Sequence, residues 1–214
     1  LAKPFLLSPG YVASDEELAE SRDPRSVHRD PHWGWCTPFF MGAVNTRAVR
    51  RTAFLLSEEP DGYGAGFTYQ EYQGSGRGRS QWKAKRDLIL VGGVLGLLST
   101  GLGRKLLTTI GPKPGAGPSK KVRDGSGFTL DLVAETHEGE TVWGRVRGEG
   151  DPGNTITVAC LAECALALAC DGDALTSKGG VLTPAVAFGA TLLERLKGSC
   201  LSIEVGVPNP VAQA

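Results

Sequence analysis

Neither sign of charge is in excess in this 214-residue chain: 23 lysines and arginines stand against 23 aspartates and glutamates, for a formal net charge of zero. That balance excludes a general polyanion binder, and bulk nucleic-acid binding with it. The first ten residues have neither the basic start nor the apolar run of a signal peptide, and the first residue is Leu1, so the chain reads as beginning within something larger. The main apolar run, residues 88–103, holds sixteen residues, fewer than the roughly 20 that a bilayer-crossing helix needs. Signatures of the G-x-S-x-G, P-loop, H-E-x-x-H and kinase types are absent, as is any collagen-like repeat, so motif alone nominates no nucleophile, phosphate loop or zinc centre. A catalytic carboxylate pair is not indicated either, because the acids fall on predicted solvated faces at residues 15–20 and in turns.

What is abundant is glycine, 30 residues, with 13 prolines, a composition that calls for many tight turns or close backbone approaches. At 41% hydrophobic, the chain has enough apolar side chains for one large domain or two small ones. Of the five cysteines, Cys36, Cys160, Cys164, Cys170 and Cys200, three lie in one alanine- and leucine-rich stretch as small core residues, a usage that fits a reducing compartment.

The balanced total conceals a strong segregation. Residues 77–123 carry eleven basic residues (Arg77, Arg79, Lys83, Lys85, Arg86, Arg104, Lys105, Lys113, Lys120, Lys121 and Arg123) against one acid, Asp87, leaving 12 basic and 22 acidic residues elsewhere. Within this basic segment lies the uncharged run LILVGGVLGLLSTGLG. An apolar run fenced by cations reads as membrane-facing, with Leu88, Ile89, Leu90, Val91, Leu95, Leu97 and Leu98 as its contact residues and Gly92 and Gly96 as a small-residue packing surface. A buried glycine-rich core helix accounts for the same composition equally well. The following GPKPGAGPS stretch is expected to be an irregular linker.

Elsewhere the periodicities predict a mixed fold. Ser14 with Glu17 has the spacing of a capping box and opens a short acidic helix to about Arg22. Asn45 is expected to cap a helix to about Ser57 whose solvated outer face carries Arg47, Arg50 and Arg51. Residues 66–72, 128–136 and 140–147 alternate as strands, the last two forming a hairpin. Residues 155–170 and 184–197 are helices, the second capped by Thr183 and opened by Pro184, and residues 200–205 close as a strand. The expected class is α+β: a mixed, largely antiparallel sheet with helices packed on one face, plus a glycine-rich hydrophobic helical segment. The expected division is a first part at 1–86, the membrane-facing segment at 87–110, a Pro/Gly linker at 111–124, a second part of the same domain at 125–206 and a tail at 207–214.

Three local patterns invite chemistry and are better read as structure. Residues 148–153 match the G-x-G-x-x-G fingerprint, but the preceding strand alternates Thr141, Arg145 and Arg147 with apolar residues, unlike the fully buried first strand of a dinucleotide fold. His28, Asp30 and His32 offer metal-ligand types, but Pro31 breaks helical spacing, and no further ligand lies nearby, so no metal is expected. Cys160 and Cys164 share a helical face among alanines and leucines, as inert thiols.

Three longer stretches together carry a resemblance: Thr37-Pro38-Phe39-Phe40-Met41 with Asn45-Thr46-Arg47 and Val49-Arg50-Arg51-Thr52; Gly101-Leu102-Gly103-Arg104-Lys105-Leu106-Leu107; and Gly179-Gly180-Val181-Leu182-Thr183-Pro184-Ala185 with Leu193-Glu194-Arg195-Leu196. Their order and spacing resemble the C-terminal half of saccharopine dehydrogenase-like oxidoreductases, whose relatives include saccharopine reductases and trans-acting enoyl reductases. The resemblance implies an NAD(P)-dependent oxidoreductase whose cofactor is held by an N-terminal Rossmann half absent here, so that this chain alone binds none. It also implies an intracellular protein associated with an organelle membrane or lipid droplet through an anionic surface, as a homodimer or part of a larger membrane complex. The alternative is a non-catalytic membrane-associated subunit or interaction protein derived from the same family. No catalytic residue carries over; Asn45, Arg47, Gly179, Gly180 and Thr183 are the candidates for lining a ligand cleft.

Overall fold

A computed structural model describes residues 3–60, 62–74, 80–111, 115–176 and 178–209. Three of the basic positions, Arg77, Arg79 and Lys113, lie outside the described residues, as does the end of the expected tail. The chain divides into two compact units, Leu1–Ala116 and Gly117–Ala214, and its class is α+β as expected, with every strand pair among the described residues antiparallel.

The first unit opens with α1 (Asp15–Glu20), where Ser14 Oγ accepts from the Glu17 amide at 3.1 Å and Glu17 Oε2 accepts from the Ser14 amide at 2.7 Å. This reciprocal capping box is the one the sequence spacing predicts. A small sheet follows, β1 (His28–Asp30), β2 (Gly34–Pro38) and β3 (Tyr72–Gln73), in the order β1-β2-β3. The β1–β2 turn is set by Asp30, whose Oδ1 accepts from the His32 and Trp33 amides, and by Gly34 in the left-handed region at φ +72°. HRDPH is therefore a strand and its turn. The strand expected over residues 66–72 is shorter than its alternation suggests, being hydrogen-bonded only at Tyr72 and Gln73.

Helix α2 (Gly42–Leu55) begins three residues before Asn45. Asn45 is thus inside the first turn rather than at its cap, and its side chain is freed to reach across the unit. Helix α3 (Gln81–Ser99) is anchored at its start, where Ala84 is fully buried and the first turns pack on β2. It meets α4 (Gly101–Ile110) at a bend of 100° around Thr100. The apolar run is therefore divided between two helices. Gly92 and Gly96 face open space, so they support no close packing within the chain.

The second unit starts with α5 (Lys120–Asp124), a short helix in the stretch expected to be linker, capped by Ser119. Strands β4 (Gly127–Glu135) and β5 (Thr141–Glu149) form the predicted hairpin, and β6 (Leu201–Val205) adds to the other edge of β5. Helix α6 (Thr157–Cys170), preceded by a wide π turn over Pro152–Ile156, packs chiefly on α7 (Pro184–Ser199), and α7 packs on β6. Thr183 precedes α7 in extended conformation but makes no side-chain cap. Gly189, at φ +50° and ψ −134°, breaks α7 into two segments, a backbone that L side chains rarely adopt. The buried apolar side chains of this unit are Trp143, Ile156, Ala167, Val186 and Leu192.

Leu192 of α7 is 7% exposed while Leu166 of α6 is 46% exposed. Leu192→Ala should accordingly cost about 2 to 5 kcal/mol, and Leu166→Ala about 1 kcal/mol or less. Urea unfolding of the two variants checks the order; equal costs would mean that α6 is as deeply packed as α7.

Candidate functional site

The densest polar constellation described lies on α2. Arg47 and Arg50 are each 1% exposed, which corrects the expectation of a solvated cationic face. A buried guanidinium requires partners for its donors, and α2 draws them from three segments distant in sequence. Arg47 Nη1 donates to Asp23 Oδ1 at 2.5 Å and to Thr46 Oγ1 at 2.9 Å, while Thr46 Oγ1 donates to the Gly42 carbonyl. Arg50 Nη2 donates to the Tyr69 carbonyl at 2.7 Å and Nη1 to the Pro4 carbonyl at 3.3 Å, with its guanidinium 5.7 Å from the centre of the Phe5 ring. Burial and the neighbouring Arg47 both push the Arg50 pKa down, against Asp23. Arg51, the residue after Arg50, places its guanidinium 5.6 Å from the centre of the Phe54 ring of its own helix.

Asn45 Nδ2 donates to Glu71 Oε1 at 3.1 Å. The other carboxylate oxygen, Glu71 Oε2, is buried without a hydrogen-bond partner. Burial pushes the Glu71 carboxyl above its ordinary value, and the Asn45 amide only partly offsets this. Nearby, Tyr11 donates to Glu17 Oε1, which raises the phenol to about 12 and lowers the carboxyl.

Asn45 and Arg47, two of the candidate cleft residues, both lie in α2 of the first unit but reach different partners, Glu71 and Asp23. Gly179, Gly180 and Thr183 lie in the second unit, in the segment leading to α7, with Gly180 at φ +118° and open space where a Cβ would stand. Sequence reasoning did not find Asp23, Tyr69 or Glu71.

In the second unit, Arg195 of α7 reaches the middle and the C-terminal cap of α6: its Nη1 donates to Glu163 Oε2 at 3.2 Å and its Nε to Asp171 Oδ2 at 2.6 Å. The bond from Arg195 Nε holds the Asp171 carboxyl below its ordinary range. Arg195, Asp171, Asp173, Thr191 and Glu194 line an open concavity of about 430 Å³. Cys160 sits beside Cys200 and Cys164, and burial with these neighbours pushes its thiol up to about 11, so it is protonated and unreactive at neutral pH. No group of three or more potential metal ligands occurs among the described residues.

The Gly148–Gly153 loop does not fit a dinucleotide. Strand β5 runs antiparallel between β4 and β6, whereas the fingerprint requires a parallel strand feeding a helix. Each feature of the loop has a structural use. The Phe128 ring covers Gly148, where a Cβ would approach it to 2.4 Å, and Gly150 takes φ +102° while its amide donates to the Ser126 carbonyl. Asp151 Oδ2 accepts from the Asn154 amide at 2.8 Å and side chain at 2.6 Å. A carboxylate therefore occupies the helix N-terminus that a pyrophosphate would need.

The Glu71 environment has a measurable consequence. A carboxyl whose pKa is raised by folding binds its proton more tightly in the folded chain. Its stabilising contribution is therefore full below the unfolded value of about 4.3 and is lost as pH rises through the folded value. Glu71→Gln keeps the acceptor for Asn45 and removes the charge. The variant should melt above the wild type at pH 7.5, and the gap should close as the pH is brought to 4; parallel melting profiles would show that this carboxyl is solvated.

No family model matches the chain and no solved structure does. A Mycobacterium tuberculosis protein named provisionally as a trans-acting enoyl reductase is 35% identical over 216 aligned positions, covering 95% of this chain and 50% of that protein. Proteins named trans-acting enoyl reductase from Mycobacterium bovis and Mycobacterium ulcerans are 34% identical over 171 and 168 positions, covering 77% and 76% of this chain. These names overturn the saccharopine dehydrogenase-like assignment, which rested on short stretches each weak by itself, and they lend no support to a membrane or lipid-droplet protein. Helices α3 and α4 reach the length and composition of a membrane span only together, as a pair bent by 100° at Thr100; Pro152–Cys170, outside that segment, is long and apolar enough to cross a membrane by length and composition alone. The chain spans about half the length of the curated relatives it matches, and over that half it is similar to trans-acting enoyl reductases.

Proposed function

We propose that these residues form the substrate-side half of a trans-acting enoyl reductase. The observation that carries the reading is the 35% identity extending over 95% of the chain. Reduction of a 2-enoyl thioester adds a hydride at the β-carbon and a proton at the α-carbon, and a donor of the NAD(P)H class is oxidised to NAD(P)+ in the exchange. The Gly148–Gly153 loop, closed by Asp151, does not suit that donor. We therefore assign the donor to the part of such a protein that lies outside the aligned half, with a dinucleotide fold as the expected partner of this chain. On the substrate side, Asn45 and Glu71 are offered as the polar pair with capacity to spare, because Glu71 Oε2 has no partner. Arg47 and Arg50 hold the surrounding segments in place.

The test uses the protein of which these residues are part. Supplied with NAD(P)H deuterated at the transferring position and a crotonyl thioester, it should give a butyryl product with a single deuterium at the β-carbon, read by mass spectrometry. The 214 residues alone should neither oxidise NAD(P)H nor bind it in a calorimetric titration. Failure of the whole protein to reduce any 2-enoyl thioester would overturn the reading, and tight nucleotide binding by the 214 residues would overturn the division of labour.

A further inference from the structure

We propose that α3 and α4 form the docking limb for the polypeptide that delivers the enoyl substrate, and that this partner presents an apolar groove with an acidic rim. The proposal rests on the enoyl reductase reading above and adds the surface and the partner. A trans-acting reductase receives its substrate on another polypeptide, so a surface for that polypeptide has to exist.

The limb has the anatomy of such a surface. Every residue from 89 to 102 is exposed. Eight large apolar side chains on α3 and three on α4 are between 39% and 81% exposed. Monomers ordinarily leave apolar patches of a few hundred Å² open, and each side of a standard interface contributes about 800 Å². Around this apolar centre stand Lys83, Lys85, Arg86, Arg104 and Lys105, all exposed, against one acid, Asp87, which pairs with Arg86 at 3.0 Å. An apolar centre with a charged rim is how separate proteins meet, and five cations against one anion select an acidic partner and steer its approach.

Three properties favour a protein groove over the other possible covers. Residues 88–98 carry apolar side chains or glycine on every side of the helix, so the run has no polar face to leave in water, as a helix lying flat on a membrane would. At 1.5 Å per residue the run is about 16 Å long, about half of the hydrocarbon thickness of a bilayer. A second copy of the chain is disfavoured by charge. A parallel pairing sets the Lys83, Lys85 and Arg86 cluster against itself, and an antiparallel pairing sets it near Arg104 and Lys105. The limb is also held in shape. Ala84 is buried at its root, and at the elbow the Gly103 amide donates to Thr100 Oγ1 at 3.0 Å, where a Cβ on Gly103 would lie 2.0 Å from the Leu97 carbonyl oxygen. A preformed helix entering a groove binds without the cost of ordering it first.

The experiment compares two substrates of the whole reductase: a crotonyl group on the phosphopantetheine arm of an acidic acyl-carrier protein, and the same group as its N-acetylcysteamine thioester. The variants are the triple reversal Lys83→Glu, Lys85→Glu, Arg86→Glu, and Leu95→Asp. Each should lower kcat/KM for the tethered substrate at least about tenfold and leave the free thioester within about twofold, and added salt should mimic the triple reversal in the wild type. Titration of the loaded carrier by calorimetry reads the docking independently of turnover and should show the same losses. Equal loss on both substrates would overturn the proposal by placing the limb inside the reductase's own body. No loss on either, or no carrier binding by the wild type, would overturn it outright. Flotation of the wild type with phosphatidylserine vesicles that is lost in Leu95→Asp, with carrier kinetics unchanged, would assign the limb to lipid instead. If the wild type binds the loaded carrier but reduces neither substrate, the enoyl reductase reading fails while the docking surface stands.

Discussion

The first unit depends on two guanidinium groups placed where water cannot reach them. Arg47 and Arg50 are buried on successive turns of α2, where a charge calls for partners; most of the donors find them, while Arg50 Nε is left buried without one. The partners come from Pro4, Asp23 and Tyr69, so the condition that keeps the arginines folded also fixes three segments separated by dozens of residues. Gln70 Nε2 adds bonds to the Glu20 and Arg22 carbonyls, tying the strand approach to the end of α1. The consequence is a core that is polar in identity: besides Cys36 and Ala84, its buried side chains are Ser8, Ser21, Thr37, Thr46, Arg47, Arg50 and Thr52. Such a core gives less free energy per buried area than an apolar one, but each donor accepts only a narrow set of geometries, so the arrangement of loops it specifies is narrow too.

The second unit solves the same problem with ordinary means. Its sheet pairs β4 with β5 over nine residues and β5 with β6 over five, and Trp143 is buried at the centre. The Arg195 bridge to Glu163 and Asp171 has all three side chains partly exposed, where an ion pair contributes little. It positions α6 on α7 more than it stabilises them.

How legible each feature was in the sequence follows from how local its physics is. The capping box at Ser14 and Glu17, the β4–β5 hairpin with its turn, and the class of the fold depend on neighbouring residues, and all were readable. The π turn before α6 and the break at Gly189 were not, because Pro184 to Ser199 has the composition of a continuous helix and only the φ of Gly189 shows otherwise. The arginine cluster was misread for a different reason. In an amphipathic pattern a cation marks the solvated face, and the rule fails when carbonyls and a carboxylate from distant segments arrive to pair with it. Nothing near residue 47 in the sequence announces Asp23, and nothing near residue 45 announces Glu71.

The run at residues 88–98 exposes a further limit, since composition cannot tell lipid from protein as the surroundings of an apolar helix. Both remove the same side chains from water and give the same free energy per unit area. What separates them is geometry and charge: length against bilayer thickness, the presence or absence of a polar face, and the sign of the surrounding rim. The length, the missing polar face and the cationic rim are legible in the sequence; the end of the helix at Ser99 and the turn through 100° are not. The segregation of basic residues is the property that lets a chain of zero net charge carry a strongly cationic surface around this run. That field reaches only about a Debye length, some 8 Å at physiological salt, and it is separate from the buried charges of α2, whose partners are Asp23 and the Pro4 and Tyr69 carbonyls.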